Sequence, residues 1–156
     1  MSGHHDEPTG RTAIDAPLSG VRVVDFSRVL AGPLATMILA DLGADVVKVE
    51  RPGTGDDTRR WGPPFVGEDA AYFLSLNRNK RSIVLDLSTG DGRQAARDLA
   101  IRADVVVENF RPGLMTSFGL DYGSLASIHP GLVYCSLVAF SDEGEGASRP
   151  GYDIIV

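Results

Sequence analysis

Short β-branched runs and stretches with apolar residues at helical spacing alternate along this chain. Val21 to Phe26, "VRVVDF", reads as a first strand. After "SRVLAGP", Leu34, Met37, Ile38 and Leu42 recur at helical spacing, with Pro33 suited to the first turn and Gly43 to the position past the end. Asp45 to Glu50, "DVVKVE", is the next strand, which makes a β-α-β unit with tight connections. The pattern returns with a strand at Ser82 to Leu87 and a helix starting at Ser88 to Asp91, with Ala96, Leu99 and Ala100 on its inner face. A strand at Asp104 to Phe110 follows, then a short helix near Leu114 and a second over Tyr122 to Ile128, broken by Pro130-Gly131. Leu132 to Phe140 is a fifth strand. Such alternation predicts an α/β layer fold with a mostly parallel sheet. Between Pro52 and Arg81 the reading is a long irregular connection, rich in Gly and Pro, and a connection of that length inside a domain is usually functional.

Composition narrows the function. The 156 residues suit one domain, and a chain of this length buries roughly 70% of its unfolded surface. A net charge of −6 argues against a general nucleic-acid or membrane surface. Yet seven of the fifteen Lys and Arg residues fall between Lys48 and Arg81, which leaves room for a local anion site. The single cysteine, Cys135, cannot pair internally and fits a reducing cytoplasm as a buried thiol. No run approaches the ~18 continuous apolar residues of a membrane span. Residues 1–16 read as a disordered leader, and its His4-His5 pair as solvated.

Ligands of open α/β sheets bind beyond the carboxyl ends of the strands. Those ends deliver Ser27 to Pro33, Glu50-Arg51-Pro52 with "PGTGDDTRR", Asp86-Leu87-Ser88, Asn109 to Gly113, and Phe140 to Gly146. Arginines for phosphate, backbone N–H groups at helix starts for a diphosphate, and the Phe110 ring suit a ligand with a flat ring and anionic groups. Arg59 and Arg60 are balanced between that role and ion pairs with Asp56, Asp57 and Glu108, whereas Arg51 and Arg111 stand at strand ends before Pro. The first turn has one glycine, Gly32, in place of G-x-G-x-x-G, which opposes a usual NAD site. No Ser-His-Asp, H-E-x-x-H or C-x-x-C constellation is present. His129 reads as a helix-end residue, and Glu108 and Asp153 as the carboxylates open to partial burial.

In order and spacing, "PLSGVRVVDFSRVLAGPLATMILADLGADVVKVERPGTGDDTRRWGPPF", "YFLSLNRNKRSIVLDLSTGDG", "ADVVVENFRPGLMTSFGLDY", "LVYCSLVAF" and "RPGYDIIV" resemble the N-terminal part of the family III CoA-transferases. That group includes formyl-CoA transferase, carnitine CoA-transferase and α-methylacyl-CoA racemase. The resemblance covers residues 17–156. It implies a Rossmann-like sheet with helices on both faces, cut before a second domain. It implies acyl-CoA and a carboxylic acid as substrates, with no separate cofactor and no metal. By motif position it implies CoA contacts at Leu30 and Ala31, with Arg51 at the adenosine–phosphate end. Leu85, Asp86, Leu87, Asn109, Phe110 and Arg111 would lie along the ligand, and Gly151, Tyr152 and Asp153 near the thioester. Where many relatives carry Lys or Arg, this chain has Ser88 and Ser117.

Transferases of the family use an aspartate nucleophile that forms an acyl anhydride and then an aspartyl-CoA thioester. The resemblance places that residue beyond Val156, so no catalytic residue is assigned within the chain. Its full-length relatives form interlocked homodimers. The family's racemases use a histidine where this chain has Tyr152, which favours transfer over racemisation. Tyr152 to Val156 reads as the start of a further element leading to the catalytic turn, so this chain alone is expected to turn over no substrate. Three other readings stand beside this one: a non-catalytic CoA-binding or association module, a racemase, and a Rossmann-type oxidoreductase.

Overall fold

The computed structural model describes residues 16–140. Five strands form one parallel sheet: β1 (Arg22–Asp25), β2 (Asp45–Glu50), β5 (Lys80–Val84), β6 (Val105–Glu108) and β7 (Val133–Ser136), in the spatial order β5-β2-β1-β6-β7. The chain thus builds outward from β1 to one side through β2 and β5, then returns to β6 and β7 on the other. Register is direct, with Val24 beside both Val47 and Val106.

Alternation along the strands sends successive side chains to opposite faces. Val24, Phe26, Val49 and Val106 pack with Ala96 and Ala100 of α3 (Gly90–Ala100), Met115 of α4 (Leu114–Phe118) and Leu125 of α5 (Tyr122–Ala126). Val23, Val46 and Val107 face the other way, onto Ala40 of α1 (Ala31–Asp41) and Ala44. The sheet therefore carries helices on both faces. Each large apolar side chain buried this way contributes about 1.5–3 kcal/mol.

Four expectations change. The stretch from Pro52 to Arg81 is not structureless: it holds a 3-10 turn (Asp57–Arg60), a two-residue hairpin of β3 (Phe65–Val66) and β4 (Asp69–Ala70), and α2 (Ala71–Asn77). Pairing with β2 starts the third sheet strand at Lys80 and ends it at Val84, instead of running from Ser82 to Leu87. The fifth strand stops at Ser136, where pairing with Glu108 of β6 ends, and the first spans only Arg22–Asp25. In α1 the buried side is Gly32, Pro33, Thr36, Met37 and Ala40, while Leu34, Ile38 and Leu42 are exposed. The close approach of α1 to β1 admits only small residues: a Cβ on Gly32 would lie 2.2 Å from the Ser27 Cβ.

Candidate functional site

The strand order reverses between β1 and β6, and a doubly wound sheet opens a crevice at such a point, outside the carboxyl ends of its strands. A cavity of about 230 Å³ lies at these ends, lined by Phe26, Arg28, Lys48, Val49, Glu50, Arg51, Gly55, Asp56, Leu85 to Ser88, Phe110, Leu114 and Phe118. A more open depression adjoins it, sharing Arg28, Phe110 and Leu114 and adding Arg111 to Gly113 and Ser117. Apolar side chains share this lining with Arg28, Lys48, Glu50, Arg51, Asp56, Asp86 and Ser88.

Those polar groups rest on a buried charge network on the α1 face. Lys48 is 1% exposed; its ammonium sits 2.9 Å from Asp56 Oδ2 and donates to the Ser27 carbonyl at 2.8 Å. Lys80 pairs with Asp25 at 3.1 Å and donates to the carbonyl of Pro33 and to Asn77 Oδ1. Asp25 also accepts from the Ser27 hydroxyl and N–H and from Thr36 Oγ1. Glu50 accepts from Nε and Nη2 along one edge of the Arg59 guanidinium, at 2.7 and 2.6 Å, and also from the Ser82 hydroxyl and the Asp56 N–H. Burial pushes the Glu50 carboxyl up, but Arg59, Ser82 and the Asp56 amide outweigh it and hold it at about 2. Burial dominates at Lys80, pulling its ammonium down to about 8 despite Asp25. Asp56 stays below the usual carboxylate range: Lys48 and the Thr58 N–H and hydroxyl overcome its burial.

This network fixes the turn after β1. Asp56 Oδ1 caps the 3-10 turn through the Thr58 N–H and hydroxyl and lies 3.4 Å from the Val29 N–H. Val29 has φ of +71°, a strained position for a β-branched residue. From the other side, Asn109 closes a two-point clamp on Arg28. Its Oδ1 accepts from the Arg28 N–H and its Nδ2 donates to the Arg28 carbonyl, both at 2.8 Å. The turn delivers the chain to the N-terminus of α1, where no side chain caps the first amides. α3 and α5, by contrast, are capped by Thr89 and Asp121. Uncapped first-turn amides suit an anion.

Guanidinium groups mark the rim. Arg28 lies 5.0 Å from the centre of the Phe110 ring and 3.6 Å from Asp57. Arg51 donates to the Gly55 carbonyl and to Asp57. Arg111 lines the open depression and has no ion-pair partner among the described residues. Asp86, also in the cavity lining, closes a turn through the Ser88 hydroxyl and N–H, which hold its carboxyl below the ordinary range.

Of the residues expected from sequence, Arg51, Leu85, Asp86, Leu87 and Phe110 meet at the cavity, and Arg111 lies next to it. Leu30 and Ala31 line neither space; they form the entry to α1. Asn109 turns its amide into the Arg28 backbone and acts through that turn. Gly151, Tyr152, Asp153 and the leader's residues 1–15 lie outside the described residues, as do Ser141 to Gly146 at the fifth strand's end. Arg59 is structural, paired with Glu50 and Asp69 and not with Asp56, Asp57 or Glu108, its guanidinium over the Phe73 ring. Glu108 is buried and accepts from the Phe110 N–H. The Ser88 and Ser117 hydroxyls are turned inward, to Asp86 and to the Leu114 carbonyl. Sequence reasoning gave no role to Lys48, Lys80 or Asp25, and named Arg28 only within the stretch Ser27 to Pro33 and Asp56 only as an ion-pair candidate for Arg59 and Arg60. The available signal was a lone lysine inside "DVVKVE", since a charge within a β-branched run must find a buried partner.

A parallel sheet whose strand order reverses at β1/β6, with a cation-rimmed crevice at the strand ends, defines an α/β domain of the doubly wound class. A family model described as CoA-transferase family III matches residues 18–156, and this chain belongs to that family. It is 50% identical over 151 residues to mouse succinyl-CoA:glutarate CoA-transferase, covering 94% of this chain and 35% of the relative. It is 54% identical over 146 residues to a succinate–glutarate CoA-transferase of Agrobacterium fabrum, covering 90% and 36%. A crystal structure of a CaiB/BaiF family protein from Brucella suis superposes with a TM-score of 0.86 at 52% identity, over 90% of this chain and 38% of that one. The chain spans about a third of the length of the curated relatives it matches.

Proposed function

We propose that this chain supplies the CoA-holding layer of a transferase that moves CoA between an acyl-CoA thioester and a carboxylic acid. The observation that carries the reading is the crevice at the strand ends, lined by Arg28, Arg51 and the Phe110 ring, with Arg111 in the adjoining depression. A CoA molecule offers that surface a flat adenine, a 3′-phosphate and a diphosphate. Arginine suits the phosphates because its planar fork donates two parallel hydrogen bonds. The buried carboxylates Asp25, Glu50, Asp56 and Glu108 are all engaged by protein donors or cations, so in this reading the described residues bind and orient. The aspartate that takes the acyl group belongs to residues beyond them. The glutarate-utilising relatives support a short dicarboxylic acid as acceptor. A cytoplasmic setting and a homodimer complete the proposal, supported by the single unpaired Cys135 and the exposed apolar stripe of α1. Among the described residues no helix is long and apolar enough to cross a membrane.

Calorimetric titration with CoA, dephospho-CoA and pantetheine tests the binding role. The expected order of affinity is CoA, then dephospho-CoA, then pantetheine, with each step set by lost phosphate contacts. Equal affinity for all three, or none for any, would overturn it.

A further inference from the structure

We propose that Asp57 is an internal anion that engages the two rim arginines Arg28 and Arg51 and is displaced from them when a ligand's phosphate binds. The proposal rests on the reading of the rim as a phosphate site and adds the carboxylate that its cations face within the chain. Asp57 faces both rim cations: its Oδ1 accepts from Arg51 Nη2, and its Oδ2 lies 3.6 Å from Arg28 Nη1. A carboxylate between two guanidinium groups competes for the same donors that a bridging phosphate oxygen would use.

Three features make this contact releasable. First, the Asp57 side chain is 37% exposed, so solvent and ligand both reach it. Second, its backbone is held by its neighbour. Asp56 is buried against Lys48 and caps the 3-10 turn, so Asp57 can rotate away without unfolding that turn. Third, each arginine has a second anchor independent of Asp57: the Gly55 carbonyl for Arg51 and the Phe110 ring for Arg28. Releasing Asp57 therefore leaves both cations aimed into the crevice. With Asp57 in place the trio carries +1; with its carboxylate removed or displaced, the two arginines present +2. Asp57 thus lowers affinity for weakly charged anions and favours ligands with enough charge to displace it, which makes it a specificity-determining residue.

The test uses inorganic pyrophosphate as probe, so its result does not depend on CoA being the ligand. In Asp57→Asn the Kd for pyrophosphate should fall roughly two- to fivefold, the range set by partly exposed ion pairs. The gain should vanish when Arg28 and Arg51 are both replaced by Ala, and Asp57→Glu should stay near wild type. In wild-type protein labelled with 13C-aspartate, pyrophosphate should shift the Asp57 carboxyl resonance as it loses its guanidinium partners. An unchanged or weaker affinity in Asp57→Asn would overturn the proposal. So would a gain that persists without the arginines, or a carboxyl resonance that does not move. Tighter pyrophosphate binding without CoA binding would keep the displaced anion and remove CoA. CoA binding with no effect of Asp57→Asn would do the reverse.

Discussion

Glu50 ends β2 as a buried carboxylate held ionised by Arg59, Ser82 and the Asp56 amide. Its pKa is about 2 in the folded chain against 4.5 as the ordinary value. A carboxyl lowered on folding stabilises the native state in full above its unfolded pKa, and the contribution disappears as pH falls through the folded one. Glu50 therefore contributes its full share above pH 4.5 and loses it between 4.5 and about 2. Urea unfolding midpoints should fall across that window. Glu50→Gln should flatten the fall while costing about 3 kcal/mol at neutral pH, because Arg59 is left without its buried partner. Identical acid limbs in the two proteins would contradict this. Asn109 makes a second residue-level case. Its two hydrogen bonds, each worth about 1 kcal/mol, hold the Arg28 backbone beside the strained Val29. Asn109→Ala should weaken CoA binding about tenfold with little change in the far-ultraviolet circular dichroism; unchanged affinity would mean the clamp is idle.

At the scale of elements, the site depends on how closely helices approach strand ends. A Cβ on Gly92 would lie 1.9 Å from the Asp86 carbonyl oxygen, so α3 packs its first turn directly onto the segment that walls the cavity. Gly92→Ala should cost about 1–3 kcal/mol in denaturant unfolding and weaken CoA binding, because backbone must move against backbone. Retention of both would show the contact to be soft. The strands were legible because β-branched runs under period-two alternation leave little choice, and the arginines at their ends were legible from the Pro that follows each. α2 was not: seven residues beside a Gly- and Pro-rich tract give no helical period to read. The α1 stripe was legible as a stripe, since Leu34, Ile38 and Leu42 share a face, but spacing cannot say which side faces the sheet. Small residues decided that, because Gly32 and Ala40 let α1 lie close to β1 and the neighbouring strands. Lys48 and Lys80 had no partner assigned in sequence; only the fold brings Asp56 and Asp25 to them.

Across the whole molecule, a net charge of −6 coexists with a crevice rimmed by Arg28, Arg51 and Arg111. Anion binding there should weaken as salt rises, since the rim is partly exposed and screening acts over about 10 Å at 0.1 M. The exposed stripe of α1, with Leu34 at 38%, Ile38 at 49% and Leu42 at 41%, is an apolar surface of the kind that drives association. Replacing all three with Ser should raise the monomer fraction in light scattering, whereas an unchanged mass distribution would place association elsewhere. The central claim is that CoA lies along the strand ends at the β1/β6 reversal, and hydrogen exchange with and without CoA tests it most directly. Protection confined to residues 28–32, 51–57, 85–88 and 109–111 is the predicted result. No protection there, or protection only at the opposite ends of the strands, would contradict the account.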